Sequence, residues 1–240
     1  MVSILGIDTS AAACSAALWR DGTVTAAERL AMARGHAEAL MPMIERVLTS
    51  AALGYRDLAA VAVVAGPGAF TGLRIGLAAA RGIALAAGIP AIGISAFAAI
   101  AAGIPAASRA GRAVAVAIDT KRGDVYLQCF DTGLAPVAAG RVVAYSEIEA
   151  ALPAGPVYVA GDASPALRQF LAGRDAAFES HPAPPDAGAV AALGSVQLSA
   201  ARSARLPPPE PIYLRAPEAT PLALQGKALQ GKDADRGRRR

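Results

Sequence analysis

The amino-acid sequence predicts an α/β protein in which one unit occurs twice, giving two lobes. Three observations lead there. A succession of apolar strand, hairpin, helix, buried strand, glycine turn and helix appears twice, its Ile-Asp-Thr endings 111 residues apart at Asp8-Thr9 and Asp119-Thr120. The length, 240 residues, suits two lobes of about 100–120 residues each. The composition is 54% hydrophobic and 18% charged, with 62 alanines. That suits a helix-rich globular core and excludes a disordered or disulfide-stapled chain.

The first unit begins with the apolar residues 4–7, which end in Asp8-Thr9. Residues 14–19 and 23–29 read as strands joined by the hairpin signal Asp21-Gly22. Residues 34–51 read as an amphipathic helix, because Ala37, Leu40, Met41, Ile44, Val47, Leu48 and Ala51 repeat at threes and fours. Pro42 removes one of its hydrogen bonds and should kink it. Residues 61–66 form a buried strand running into a glycine turn. A second helix follows from about Phe70 to Ala87, with Gly72, Gly76 and Ala80 four apart. Glycine inside a helix costs about 0.5–1 kcal/mol relative to alanine, which close approach of another backbone would offset. For both helices two packing partners remain open, the chain's own sheet and another chain. Residues 82–108 carry no charge and are long enough to span a bilayer. Gly88, Pro90, Gly93, Gly103 and Pro105 break them into a helix–strand–helix passage through a soluble core.

Gly, Pro, Ser and Arg cluster over 103–112 and mark the lobe boundary. The second unit repeats the first: strands at 114–118 and 125–130, a turn at Asp131-Thr132-Gly133, a return over 136–143, a strand at 157–161 and a helix over 164–171. Residues 207–211, Pro-Pro-Pro-Glu-Pro, fit neither a helix nor a central strand. They predict an extended strap carrying Ile212, Tyr213, Leu214 and Arg215 onto the surface or into a groove. The expected organisation is a first lobe over 1–105, a second over 106–221, and a disordered basic tail over 222–240. Residues 227–240 hold six cations against two aspartates, which accounts for the whole net charge of +4. A solvated end and an electrostatic RNA contact both fit that tail.

The reactive groups are sparse. Cys14, Cys129, His36 and His181 lack the close pairing of a zinc site, so no metal is expected. Two isolated cysteines suit a reducing compartment. The run Gly66-Pro-Gly-Ala-Phe-Thr-Gly72 sits at a strand-to-helix junction, where phosphates bind. It misses both common fingerprints: Thr71 stands where GxGxxG needs its last glycine, and Leu73-Arg74 follows Gly72 where a P-loop needs Lys-Ser/Thr. A tight structural turn and a nucleotide contact through Gly66 and Gly68 are both open. Asp8, with Thr9 beside it, and Asp119 end strands at loops where a metal–phosphate could sit. The first of those loops has no glycine and the second has only Gly123. No Ser–His–Asp set is visible.

Five motifs together resemble the TsaB (YeaZ) family. They are Ile-Leu-Gly-Ile-Asp-Thr-Ser at 4–10, Arg-Gly-His-Ala-Glu at 34–38 with Leu-Met-Pro-Met-Ile at 40–44, and Gly-Pro-Gly-Ala-Phe-Thr-Gly-Leu-Arg-Ile-Gly at 66–76. The others are Ile-Asp-Thr-Lys-Arg-Gly-Asp-Val-Tyr at 118–126 and Pro-Ile-Tyr-Leu-Arg at 211–215. The resemblance spans about residues 3–217 and leaves the tail outside. It departs from the family at Ala37 and Ala69, where serine is commoner. It implies a duplicated actin/Hsp70-like (ASKHA, ribonuclease H-like) fold. It also implies a non-catalytic partner of TsaD, the paralogue that transfers threonylcarbamoyl from its adenylate to the adenosine beside the tRNA anticodon. The ATPase TsaE joins them, tRNA is reached through the complex, and the setting is cytoplasmic, without membrane or cofactor. Pairing with TsaD, or with a second copy when alone, runs through a four-helix bundle of two first-lobe helices. These match residues 36–50 and 71–87, so the implied interface is His36, Leu40, Met43, Ile44, Val47, Thr71, Gly72, Ile75, Gly76, Ala79, Ala80 and Ile83. The rival readings are an ATP-dependent kinase or hydrolase of the same fold, using Asp8 and Asp119 around magnesium, and an RNA-binding module led by the basic tail.

Overall fold

In the computed structural model the described residues are 1–180, 183–201 and 206–215; His181 and the expected tail at 222–240 lie outside them. The apolar run at the N-terminus becomes β1 (Ser3–Ala11), paired antiparallel with β2 (Ala13–Arg20), which pairs with β3 (Thr23–Ala31). The β2–β3 turn places Asp21 and Gly22 at φ 44° and 100°, the two-residue turn whose twist matches a hairpin. Beyond β1, β4 (Ala60–Gly66) and β5 (Ala91–Ser95) add in parallel, giving the order β3-β2-β1-β4-β5. β1 and β4 are apolar almost throughout because helices cover both faces of the sheet.

On one face lie α1 (His36–Ser50) and α2 (Phe70–Ala87). Leu40, Met43, Ile44 and Val47 of α1 pack with Leu5, Ile7, Leu18, Val61 and Val63 of the sheet. Among the described residues α2 is the one helix long and apolar enough to cross a membrane; here it lies on the sheet, burying Leu73, Leu77, Ala80 and Ile83. The uncharged stretch 82–108 resolves as expected into the end of α2, then β5, then α3 (Ala96–Gly103).

The second sheet comprises β6 (Ala113–Asp119), β7 (Asp124–Phe130), β8 (Arg141–Ala144), β9 (Val157–Ala160) and β10 (Ala176–Phe178). Its order, β8-β7-β6-β9-β10, repeats the first sheet strand for strand, with the same two antiparallel and two parallel pairings. The duplication read from the sequence is therefore in the fold. Two details differ from expectation. The return strand starts at Arg141 rather than near 136, where Pro136 makes only an isolated bridge to Phe130; proline has no N–H to extend the ladder. The helix expected over 164–171 divides into α5 (Ser164–Leu167) and a 3₁₀ turn (Arg168–Leu171), after a short α4 (Ile148–Ala151).

A further helix, α6 (Ala187–Ala200), follows β10 and crosses back onto the free face of the first sheet. The approach is close enough to demand glycine: a Cβ on Gly6 would lie 2.0 Å from the Ala187 carbonyl oxygen. In the other direction α3 sends Phe97 and Ile100 into a cluster with Val114, Val116, Phe130 and Tyr158 of the second lobe. Each unit thus lends its last helix to the layer between the sheets. The strap behaves as the prolines predict. Residues 206–215 have no regular structure, yet Ile212 N–H donates to Ala65 O at 2.8 Å, and Arg81 Nε donates to Pro209 O at 3.0 Å. Leu214 joins the interlobe cluster, and Arg215 forms an ion pair with Asp124 of the second lobe.

Candidate functional site

A cleft of about 1350 Å³ opens between the lobes. It is walled by the end of β1, the N-terminal ends of α1 and α2, the loop after β6, and Tyr213 and Arg215 of the strap. Of the nucleotide candidates, Thr9, Gly68 and Asp119 line it, whereas Asp8 and Gly66 do not. Gly66 lies beneath the strap, where a Cβ would be 2.7 Å from Ile212 O. Asp8 is wholly buried. Its Oδ1 accepts the Ser10 N–H at 2.9 Å, and its Oδ2 has no hydrogen-bond partner among the described residues. Burial pushes its pKa up to about 6, against the opposing pull of the Ser10 bonds and the charges of Arg29 and His36.

That displacement sets a pH dependence. The folded carboxyl keeps its proton to about pH 6, while the unfolded one loses it near 3.8, so stability falls as pH rises between those values and then levels. The carboxylate costs about 3 kcal/mol above pH 6. Asp8→Asn, which cannot ionise, is expected to remove that slope. Denaturant unfolding of both proteins at pH 4 and pH 7.5 measures it, and an unchanged slope would refute the assignment to Asp8.

The glycine run meets this chain's own backbone. Ala69 N–H donates to Ser10 O at 2.7 Å, and Thr9 Oγ1 donates to Gly72 O at 2.7 Å. A Cβ on Gly68 would lie 2.6 Å from Ser10 O, and one on Gly72 would lie 1.9 Å from Thr9 O. Gly76 likewise faces Thr9 Oγ1 and Val63. The glycines therefore seat α2 on the end of β1, and the tight structural turn is the reading the geometry favours. Gly72→Ala is expected to destabilise the fold by about 3 kcal/mol, since the obstacle is a backbone oxygen rather than a flexible side chain. Gly82, with nothing within 4 Å, provides the contrast: Gly82→Ala should stabilise by about 0.5–1 kcal/mol. Urea midpoints of the two variants check the opposite signs.

The two aspartate-bearing loops make their own contacts within the chain. β1 and β2 meet at Ala12, and their ladder is interrupted between Asp8 and Ala11. Asp119 Oδ1 accepts the Lys121 N–H at 2.7 Å, Oδ2 accepts Lys121 Nζ at 2.8 Å, and the same Nζ reaches Asp162 at 3.7 Å. Burial alone would raise the Asp119 pKa, but the Lys121 bonds outweigh it and hold the carboxyl below its usual range. Lys121 Nζ thus lies between the Asp119 and Asp162 carboxylates. Among the described residues no three or more His, Cys, Asp and Glu side chains cluster to hold a metal.

The helices place the expected interface residues differently from a contact surface. Leu40, Met43, Ile44, Val47, Gly72, Gly76, Ala80 and Ile83 are buried in the chain's own core. Met41, which shares the apolar repeat of α1, is exposed instead. His36 is half-buried with Nε2 3.1 Å from Ala11 O. Ile75 and Ala79 are half-buried and Thr71 is exposed. What α2 presents outward is the row Ala78, Gly82 and Leu85, with Leu85 86% exposed.

Another cluster escapes sequence reasoning. Phe70 and Tyr213, 143 positions apart, come together at the cleft mouth with ring centroids 5.8 Å apart. The Arg74 guanidinium sits 3.6 Å over the Phe70 ring, and its Nε donates to the Tyr213 hydroxyl at 3.4 Å. Phe70 lies in the glycine motif and Tyr213 in the strap, and only the fold brings them together.

The family model described as "TsaD: tRNA N6-adenosine threonylcarbamoyltransferase" matches residues 30–159. The tRNA threonylcarbamoyladenosine biosynthesis protein TsaB of Escherichia coli is 45% identical over 123 residues, 51% of this chain and 52% of that protein. The chain thus spans about half the length of that relative. The solved structure of YeaZ from Pseudomonas aeruginosa superposes with a TM-score of 0.72 at 27% identity, covering 89% of this chain and all of that one. The activator of 2-hydroxyisocaproyl-CoA dehydratase from Clostridium difficile gives a TM-score of 0.52 at 11% identity, a likeness of fold alone. The doubled sheets and these neighbours make the architecture ASKHA-type, as the sequence implied.

Proposed function

The chain belongs to the TsaB (YeaZ) family, and we propose that it is the non-catalytic partner of TsaD in making N6-threonylcarbamoyladenosine in tRNA. The observation that carries this reading is the outer face of the α1–α2 pair. Ala78, Gly82 and Leu85 are exposed at i, i+4 and i+7, one row along α2. The two cations of this helix turn elsewhere: Arg74 to Phe70 and Tyr213, and Arg81 to Pro209. An apolar row is left without a charge to hydrate it. A lone exposed leucine is ordinary. A row of small residues ending in one, with partly exposed Ile75 and Ala79 on the same helix and exposed Met41 on α1, supports docking of another helix pair.

In this reading the buried residues first expected at the interface hold the two helices from beneath, and Thr71, Ile75, Ala78, Ala79, Gly82, Leu85 and Met41 meet the partner. The same face pairs two copies of this chain when TsaD is absent. TsaE joins the pair, tRNA is engaged through the assembly, and the work is done in the cytoplasm. The seated glycine turn and the lysine-bound Asp119 fit a subunit that leaves the chemistry to its partner. Co-purification with the TsaD of the same cell tests the pairing. Restoration of the modified adenosine in cells depleted of their own TsaB tests the role. A well-folded chain that captures no TsaD and restores no modification would overturn it.

A further inference from the structure

The aromatic cluster at the cleft mouth is not explained by holding the fold together. Phe70 and Tyr213 remain 52% and 43% exposed, and rings left in water forgo the stabilisation that burial gives. The strap does not need Tyr213 as an anchor. It is fixed upstream by the Arg81–Pro209 and Ile212–Ala65 hydrogen bonds, and downstream by Leu214 in the core and Arg215 on Asp124. These contacts fix the backbone on both sides of Tyr213, which lowers the ordering cost of a ligand that stacks there. Arg74 lies flat on Phe70 and bonds to Tyr213, so a planar cation and two aromatic rings face one opening.

The surroundings suit an anionic polymer. The cleft is lined by Arg34, Arg74, Lys121, Arg122 and Arg215 against Glu38, Asp119 and Asp162, five cations to three carboxylates. Lys121 already neutralises Asp119 and reaches Asp162, and Arg215 is paired with Asp124 just outside the lining, so the surplus is one positive charge. At about 1350 Å³ the cleft exceeds the roughly 300–1,000 Å³ of ordinary small-molecule sites. Aromatic rings beside a positive groove are the recurring means of binding single-stranded nucleic acid without reading its sequence.

We propose that Phe70, Tyr213 and Arg74 form a stacking platform for unpaired bases of single-stranded RNA, whose phosphates run along the cationic cleft. The choice of RNA over DNA rests on the tRNA-linked function proposed above; the platform itself does not depend on TsaD. The test uses the full chain and a single-stranded oligoribonucleotide carrying 2-aminopurine, at about 0.15 M salt. Stacking should quench the probe, and anisotropy should report binding that weakens with salt. Tyr213→Ala and Phe70→Leu should each weaken binding roughly tenfold, within the range measured for a base on an aromatic ring. Tyr213→Phe should bind like the parent. Thermal unfolding of each variant shows whether the fold is retained; Phe70→Leu keeps an apolar contact, so it decides if Tyr213→Ala loosens the strap. Binding that survives both substitutions would overturn the proposal. Binding without quenching, or equal binding of an RNA duplex, would also overturn it; equal binding of the matching DNA strand would overturn the choice of RNA and leave a general single-strand platform. TsaD capture by the same variants is read separately, so failure here leaves the partner role standing.

Discussion

Leu40→Asp is expected to leave the chain unfolded at room temperature. Leu40 is 1% exposed in the middle of α1, within the cluster formed with Leu5, Ile7, Leu18 and Val61. Truncating such a leucine costs about 2–5 kcal/mol. The new carboxyl would face apolar groups with no partner, at a further few kcal/mol even if it takes up a proton. Single-lobe cores of this size hold a total of about 5–15 kcal/mol, so the two losses together consume most of it. Circular dichroism against temperature should show no cooperative transition, or one far below that of the parent. The substitution also separates two readings of α1. If the Leu40 face met a partner, the isolated Leu40→Asp chain would fold normally and merely fail to pair. A folded monomer would therefore contradict the packing described here. Ile83→Asp, at another buried site of α2, should behave in the same way.

The difference between those readings shows what sequence can and cannot supply. The doubled sheet was legible because its signals are local: alternating strands, the Asp21-Gly22 turn, and Ile-Asp-Thr at the end of β1 and β6. The strap was legible because five residues with four prolines admit few conformations. Helix α6 was missed because its residues, Ala-Gly-Ala-Val-Ala-Ala-Leu-Gly-Ser-Val-Gln-Leu-Ser-Ala, show no polar–apolar period. The one clear local mark of it is Asp186, whose side chain accepts the Ala189 N–H at 3.0 Å as an N-cap. The partner of a buried stripe is a long-range property. Periodicity said that Leu40, Met43, Ile44 and Val47 share a face, but not that β1, β2 and β4 already cover it. The Gly72 and Gly76 spacing likewise announced close approach without naming the backbone of Thr9 as the neighbour. The Phe70–Tyr213 contact depends on the strap returning across the first lobe, which nothing within either segment encodes.

Ala78→Asp combined with Leu85→Asp is expected to abolish TsaD capture while the chain stays folded. Both residues lie on the exposed side of α2. Helix propensity costs under about 0.7 kcal/mol per substitution, and an acid in the last turn costs about 0.3–1 kcal/mol more through the helix dipole. The melting temperature should therefore fall by only a few degrees. At a packed interface the effect is far larger. On the pairing proposed above, removing Leu85 forfeits an apolar anchor, and each carboxylate must shed its water without a partner. Central interface positions typically contribute about 2 kcal/mol or more, so two such changes predict at least a 100-fold loss of affinity. Val196→Asp, on α6 and 64% exposed, controls for added negative charge and should leave capture unchanged. Leu85→Ala should fall between the parent and the double variant, because it loses area without burying a charge. Surface plasmon resonance with immobilised TsaD provides the ranking. A folded double variant that binds as tightly as the parent would move the interface off the α1–α2 face, whatever the family.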